Sequence, residues 1–67
     1  MNKFAERLKE LREEQNLSQR ILAKETGFSQ AAIARWEANL QTPNIDVAII
    51  FAKYFSVTTD YLLGLED

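Results

Sequence analysis

The sequence predicts an all-α, compact five-helix domain. Apolar residues recur at three- and four-residue spacing, no stretch sustains the alternation of a strand, and a capping residue precedes four of the five periodic runs. Sixty-seven residues allow one small domain, residues 1–67, with no repeat, low-complexity stretch or linker. A domain of this size buries only roughly 60% of its unfolded surface, so its packing must be efficient.

The first predicted helix runs from about Lys3 to Glu14, with Phe4, Leu8 and Leu11 forming one apolar stripe. Gln15-Asn16 ends it, and Leu17 fills the turn. Ser18 caps a second helix, about Gln19 to Thr26, with Leu22 and Ala23 inward. Gly27 supplies the left-handed conformation that ends it. Phe28 is expected to be buried in the following turn. Ser29 caps a third helix, about Gln30 to Ala38, with Ile33 and Trp36 inward and Asn39 as its left-handed terminator. Leu40-Gln41-Thr42-Pro43 reads as a loop. Asn44 caps a fourth helix, about Ile45 to Phe55, with Ile45, Ala48, Phe51, Ala52 and Phe55 inward. Thr58 caps a fifth, about Thr59 to Leu63, closed by Gly64.

Composition removes several classes of function. There is no cysteine and no histidine, so disulfides, thiolate metal sites and the commonest general base are all absent. No tight acidic pair marks a cleft, and neither an enzyme, a metal, a cofactor nor a small-molecule ligand is expected. No apolar run approaches the roughly 20 residues needed to span a bilayer. The charged start Met1-Asn2-Lys3-Phe4-Ala5-Glu6-Arg7 lacks the features of a signal peptide, so no membrane partner is expected and the cytoplasm is the expected location.

Ser18 to Asn39 forms the informative stretch: a helix, a short turn bearing Gly27, and a second helix. Ala23 is small where the two helices meet, and Phe28, Ile33 and Trp36 hold the second against the first. This is a helix-turn-helix arrangement, about residues 18–39. The residues Leu17-Ser18-Gln19, Leu22-Ala23, Gly27, Ser29-Gln30, Ile33, Trp36-Glu37, Pro43 and Asp60-Tyr61-Leu62-Leu63-Gly64 resemble the phage-repressor/Cro (XRE-like) family of bacterial helix-turn-helix DNA-binding domains. The resemblance covers roughly Phe4 to Leu65.

It implies a transcriptional regulator, a repressor, whose third helix enters the major groove of double-stranded DNA. It also implies a homodimer on a pseudo-palindromic operator. At about 100° per residue, Ile33, Trp36 and Glu37 share one side of the third helix, with Ala31, Ala34, Arg35 and Ala38 opposite. Gln30 stands at the exposed N-terminal end, and the outer face carries no acid. Gln30, Ala31, Ala34 and Arg35 are therefore the expected base-facing residues: glutamine suits adenine, arginine suits guanine, and alanine can touch a thymine methyl. Arg12, Gln19, Ser29, Asn39 and Gln41 are expected at the DNA backbone, Gln19 because it opens a helix whose amide groups favour phosphate. The resemblance further implies an ion pair between Arg12 and Glu37.

Two features depart from the family pattern. Ala31 and Ala32 are small where members often carry longer polar side chains, and Asn39 stands where glycine is frequent.

The formal charge of −2 weighs against nucleic acid, because such domains are usually basic. The acid is unevenly placed, however. Residues 18–42 carry Arg20, Lys24 and Arg35 against Glu25 and Glu37, whereas 43–67 carry Lys53 against Asp46, Asp60, Glu66 and Asp67. Non-specific DNA binding by a monomer should accordingly be weak.

The fourth helix is apolar nearly all round. Val47, Ile50 and Tyr54, together with Leu65, form the expected dimer interface. The alternative is an antitoxin-like or other protein-interaction module that retains the fold and binds another protein through this helix.

Overall fold

The structure, a computed structural model, describes residues 3–66. Met1 and Asn2 of the charged start and Asp67 of the acidic tail lie outside the described residues. Among the described residues there are five helices and no strand: α1 (Phe4–Glu14), α2 (Gln19–Thr26), α3 (Gln30–Glu37), α4 (Ile45–Phe55) and α5 (Thr59–Leu63). None is long and apolar enough to cross a membrane.

Local chemistry sets the boundaries. The side-chain oxygens of Ser18, Ser29, Asn44 and Thr58 accept hydrogen bonds from the backbone N–H groups of Ile21, Ala32, Val47 and Tyr61, at 3.1, 3.0, 2.9 and 2.9 Å. Each bond satisfies a first-turn donor that the helix itself leaves unpaired. Lys3 precedes α1 without a side-chain cap and donates its backbone N–H to the Leu63 carbonyl at 3.3 Å instead, which ties the start of the chain to the end of α5. At the other ends, Asn16, Gly27, Asn39 and Gly64 turn left-handed, with φ of 57°, 83°, 60° and 81°. Glycine and asparagine take this backbone at the least cost. Ser56 takes it too, with φ of 57° at the end of α4, although its residue type does not announce it.

One core unites the helices. Phe4 and Leu8 of α1, Leu22 and Ala23 of α2, Ile33 and Trp36 of α3, Ala48, Phe51, Ala52 and Phe55 of α4, and Leu62 of α5 are buried together. Phe51 occupies the centre: the rings of Phe4, Phe28 and Trp36 lie 6.0, 5.1 and 5.7 Å from its own. Phe28 is half-buried, wedged edge-on against Trp36 at 5.1 Å in the turn between α2 and α3. The turn is thereby fastened to the same aromatic group that carries α3. Arg7 adds a polar tie. Its Nη1 donates to the carbonyls of Tyr61 and Glu66, and its guanidinium lies 4.2 Å above the Tyr61 ring, a cation–π contact.

The inward stripe of α4 needs a correction at Ile45, which is 61% exposed. As the first residue of the helix it has no preceding turn to cover. Helical side chains lean toward the N-terminus, so this one is carried past the end of the core.

Candidate nucleic-acid interface

The third helix is held by its inner face and presented by its outer one. Ile33 and Trp36 anchor it, and Ala32 packs partly against the same core. Gln30, Ala31, Arg35 and Ala38 are exposed, and Ala34 is half-buried. The small size of Ala31, Ala34 and Ala38 leaves this face flat enough for close approach by another surface.

A polar brace fixes the angle of α3. Arg12 Nε donates to Glu37 Oε2 at 2.7 Å and Arg12 Nη2 donates to Glu37 Oε1 at 2.9 Å, a bidentate pair between α1 and α3. Arg12 Nη1 donates to the Leu17 carbonyl at 2.8 Å, so all three guanidinium nitrogens are engaged. Gln19 Nε2 donates to Glu37 Oε1 at 3.1 Å, bringing α2 into the same group. The Arg12 and Glu37 side chains are only 12% and 4% exposed. Hydrogen bonding to Glu37 raises the Arg12 pKa above its ordinary value, aided by the charges of Glu37 and Glu13 and opposed by burial. The guanidinium is therefore permanently charged. One carboxylate thus draws together the three helices that must keep a fixed relation if α3 is to dock in one orientation.

Beside this brace, Lys9, Arg12, Gln19, Ala34, Glu37 and Ala38 line an open depression of about 280 Å³. Its polar rim combines Lys9 and Arg12 with the Gln19 amide, along one flank of α3.

The remaining site residues lie where α2 and α3 begin and where α3 ends. Ser29 is exposed, and its hydroxyl accepts from Ala32 N–H at the start of α3. Asn39 is exposed in the left-handed turn after α3. Gln41 lies in the loop beyond, where its Oε1 accepts from Arg35 Nε at 3.0 Å. Residue type and helical spacing did not signal this contact or the bond from Gln19 to Glu37. Both depend on how the chain folds back, which no local pattern encodes. Lys9, at the edge of the depression, was likewise not singled out from the sequence.

The residues read as a dimer surface divide into two groups. Ile50 and Leu65 are 41% and 73% exposed, while Val47 and Tyr54 are half-buried against the core. The Tyr54 ring meets Phe55 edge-on at 5.0 Å. Ile45 and Ile49 join Ile50 as exposed isoleucines of α4.

Two capped helices joined by a left-handed glycine turn, the second braced and presented, define a helix-turn-helix domain. The chain belongs to the helix-turn-helix family, whose model matches residues 8–62. Over 64 residues, 96% of this chain, it is 41% identical to the HTH-type transcriptional activator BcrR of Enterococcus faecalis, covering 31% of that protein. Over the same length it is 33% identical to the HTH-type transcriptional regulator YobD of Bacillus subtilis (strain 168), covering 57% of it. The chain thus spans about a third of the length of the first relative and somewhat over half of the second. Among solved structures it is similar to the P22 c2 repressor, crystallised with synthetic operator 9T in the presence of Tl+, with TM-score 0.85 and 30% identity over 94% of this chain and 96% of that one. It is also similar to a transcriptional regulator from Listeria innocua, with TM-score 0.89 and 27% identity over 100% of this chain and 63% of that one. The resemblance to the repressor type read from the sequence is confirmed.

Proposed function

We propose that this domain binds double-stranded DNA sequence-specifically, as part of a transcriptional regulator of the repressor type, by laying α3 in the major groove. The observation that carries this is the acid-free outer face of α3, held in one orientation by the Arg12–Glu37–Gln19 brace. Support also comes from the P22 c2 repressor, which shares the fold along nearly its whole length and was solved on an operator. Gln30, Ala31, Ala34 and Arg35 face the bases. Arg12, Gln19, Ser29, Asn39 and Gln41 meet the sugar-phosphate backbone. The small apolar side chains suit thymine methyls, which leaves Gln30 and Arg35 as the polar readers.

The test is selection of bound duplexes from a random-sequence pool, followed by titration of Arg35→Ala on the selected site and its single-base variants. Loss of a bidentate guanine contact is expected to cost about 1–3 kcal/mol and to relax the preference at one base pair per half-site. Equal binding of mutant and wild type to every sequence would remove α3 from the interface. Failure to enrich any duplex, with no affinity at low salt, would point to a protein-interaction module instead.

The domain acts as a homodimer on a pseudo-palindromic operator, with half-sites about one helical turn, or 10 base pairs, apart. The contact uses Ile50 of α4 together with the exposed Ile45 and Ile49 of the same helix, Leu65, and the exposed parts of Val47 and Tyr54. Their exposure on one small domain supports this, because apolar patches of this kind mark association surfaces. Sedimentation equilibrium at high micromolar concentration should show reversible self-association of the wild type, weakened at least tenfold by Ile50→Glu, roughly the loss of one half-buried aliphatic side chain. A wild type that stays monomeric and binds its site without cooperativity would rule the dimer out.

A further inference from the structure

The loop after α3 folds back onto its last turn. Asn39 turns left-handed, with φ of 60°, and the Leu40 N–H donates to the Arg35 carbonyl at 2.9 Å. This return places Gln41 beside the Arg35 side chain, where Gln41 Oε1 accepts from Arg35 Nε at 3.0 Å. The loop is therefore attached to one residue twice, through its backbone and through its side chain.

A guanidinium has two edges able to donate a pair of parallel hydrogen bonds. One is the end edge, formed by Nη1 and Nη2; the other is the side edge, which includes Nε. Gln41 occupies Nε and so closes the side edge. The end edge remains, and it matches the O6 and N7 acceptors of guanine. Ala31, one turn before Arg35, and Ala38, just past the end of α3, carry no polar group; the exposed polar side chains near this face are Gln30 at the start of α3 and Asn39 in the turn after it.

We infer that Gln41 is a positioning residue that sets the guanidinium of Arg35 for end-on reading of guanine, and so determines specificity without touching a base. This rests on the proposed DNA-binding function. In the free protein the bond is solvent-exposed and individually weak. Its weight appears in the complex, where Arg35 leaves water and must hold one orientation. An arginine without this partner keeps its charge but distributes its contacts between the base edge and nearby phosphates, which weakens discrimination more than affinity.

The experiment uses a duplex selected by the wild-type protein from a random-sequence pool, together with its single-base variants. Four proteins are compared with wild type: Arg35→Ala, Gln41→Ala, Gln41→Glu and the double variant Arg35→Ala with Gln41→Ala. Gln41→Ala is expected to lose about 3- to 10-fold of the discrimination at the base pair read by Arg35, the scale of one net hydrogen bond. Gln41→Glu keeps an acceptor for Nε, so it should retain that discrimination while binding every duplex more weakly, because it adds a negative charge. The double variant should discriminate no worse at that pair than Arg35→Ala alone. Melting temperatures should stay within a few degrees of wild type, since the residue is exposed. If Gln41→Ala weakens all duplexes equally and keeps wild-type discrimination, Gln41 serves as a backbone contact alone, without positioning Arg35, and the inference is overturned while Arg35 still reads its base. If Arg35→Ala also leaves every preference intact, the base-reading role of Arg35 fails, and the inference with it.

Discussion

Phe51→Ala is expected to remove a large share of the stability of the domain. Phe51 is fully buried, and its ring meets those of Phe4, Phe28 and Trp36. It therefore joins α4 to α1, to the turn before α3 and to α3 itself. Truncating a buried phenylalanine to alanine costs about 3–5 kcal/mol, because the cavity left behind collapses only in part. A domain of this length holds roughly 3–10 kcal/mol in total, at about 0.05–0.15 kcal/mol per residue. The loss thus approaches the whole stability at the lower end of that range. For a domain this small each kilocalorie lowers the melting temperature by about 4–8 °C. Thermal melts followed by far-ultraviolet circular dichroism, with near-ultraviolet dichroism reporting on Trp36, should show a fall of more than about 12 °C or no cooperative transition. A melting temperature within a few degrees of wild type would mean that the aromatic centre does not hold the helices together.

Glu37→Ala is expected to produce the second-largest loss, about 2–4 kcal/mol, placed slightly below the range for removing one partner of a fully buried ion pair because Arg12 keeps some contact with water. The substitution strands the Arg12 guanidinium and removes the acceptor of Gln19 Nε2 together. Replacing both charges, as Arg12→Met with Glu37→Met, should recover most of that stability, because two apolar side chains leave no stranded charge. The pair would then contribute orientation more than stability: the double variant should melt near wild type yet bind its selected duplex less tightly. If Glu37→Ala melted like wild type, the pair would be an ordinary surface contact.

The sign of the pH effect on the Arg12 side follows from the direction of its pKa. The folded value lies above the unfolded one, chiefly because of the hydrogen bond to Glu37. Its stabilisation is therefore fully present below the unfolded pKa, and it is lost only as strongly alkaline pH rises through the folded one. Across the neutral range this contribution is constant.

The sequence by itself determined the parts of the molecule whose causes are local. Ser18, Ser29, Asn44 and Thr58 each bind an N–H three residues ahead, so residue type and spacing set four helix starts. Gly27, Asn39 and Gly64 end their helices left-handed because glycine and asparagine tolerate that backbone. The buried positions of α1, α2 and α3 follow from helical period alone, since each of these helices turns one face to the core. That period placed Gln30, Ala31 and Arg35 outward. The Arg12–Glu37 pair was legible only through resemblance, because its members stand 25 residues apart and no local rule joins them.

Tertiary structure decided the rest. In α4, apolar residues surround the helix: period put Ile50 outward and Ile45 inward, and Ile45 proved exposed as well. Packing against α2 and α5 left Ile45, Ile49 and Ile50 exposed and drew Val47 and Tyr54 partly into the core. Ser56 turns left-handed although serine gives no such signal; it stands at the turn from which α5 returns to α1, where Arg7 holds the Tyr61 carbonyl. The Gln19 amide meets Glu37, and Gln41 meets Arg35, only once turns and loops have brought distant segments together. Capping and helical period act over three or four residues and are written in the chain. The orientation of a long polar side chain is set by whichever partner the fold places within reach.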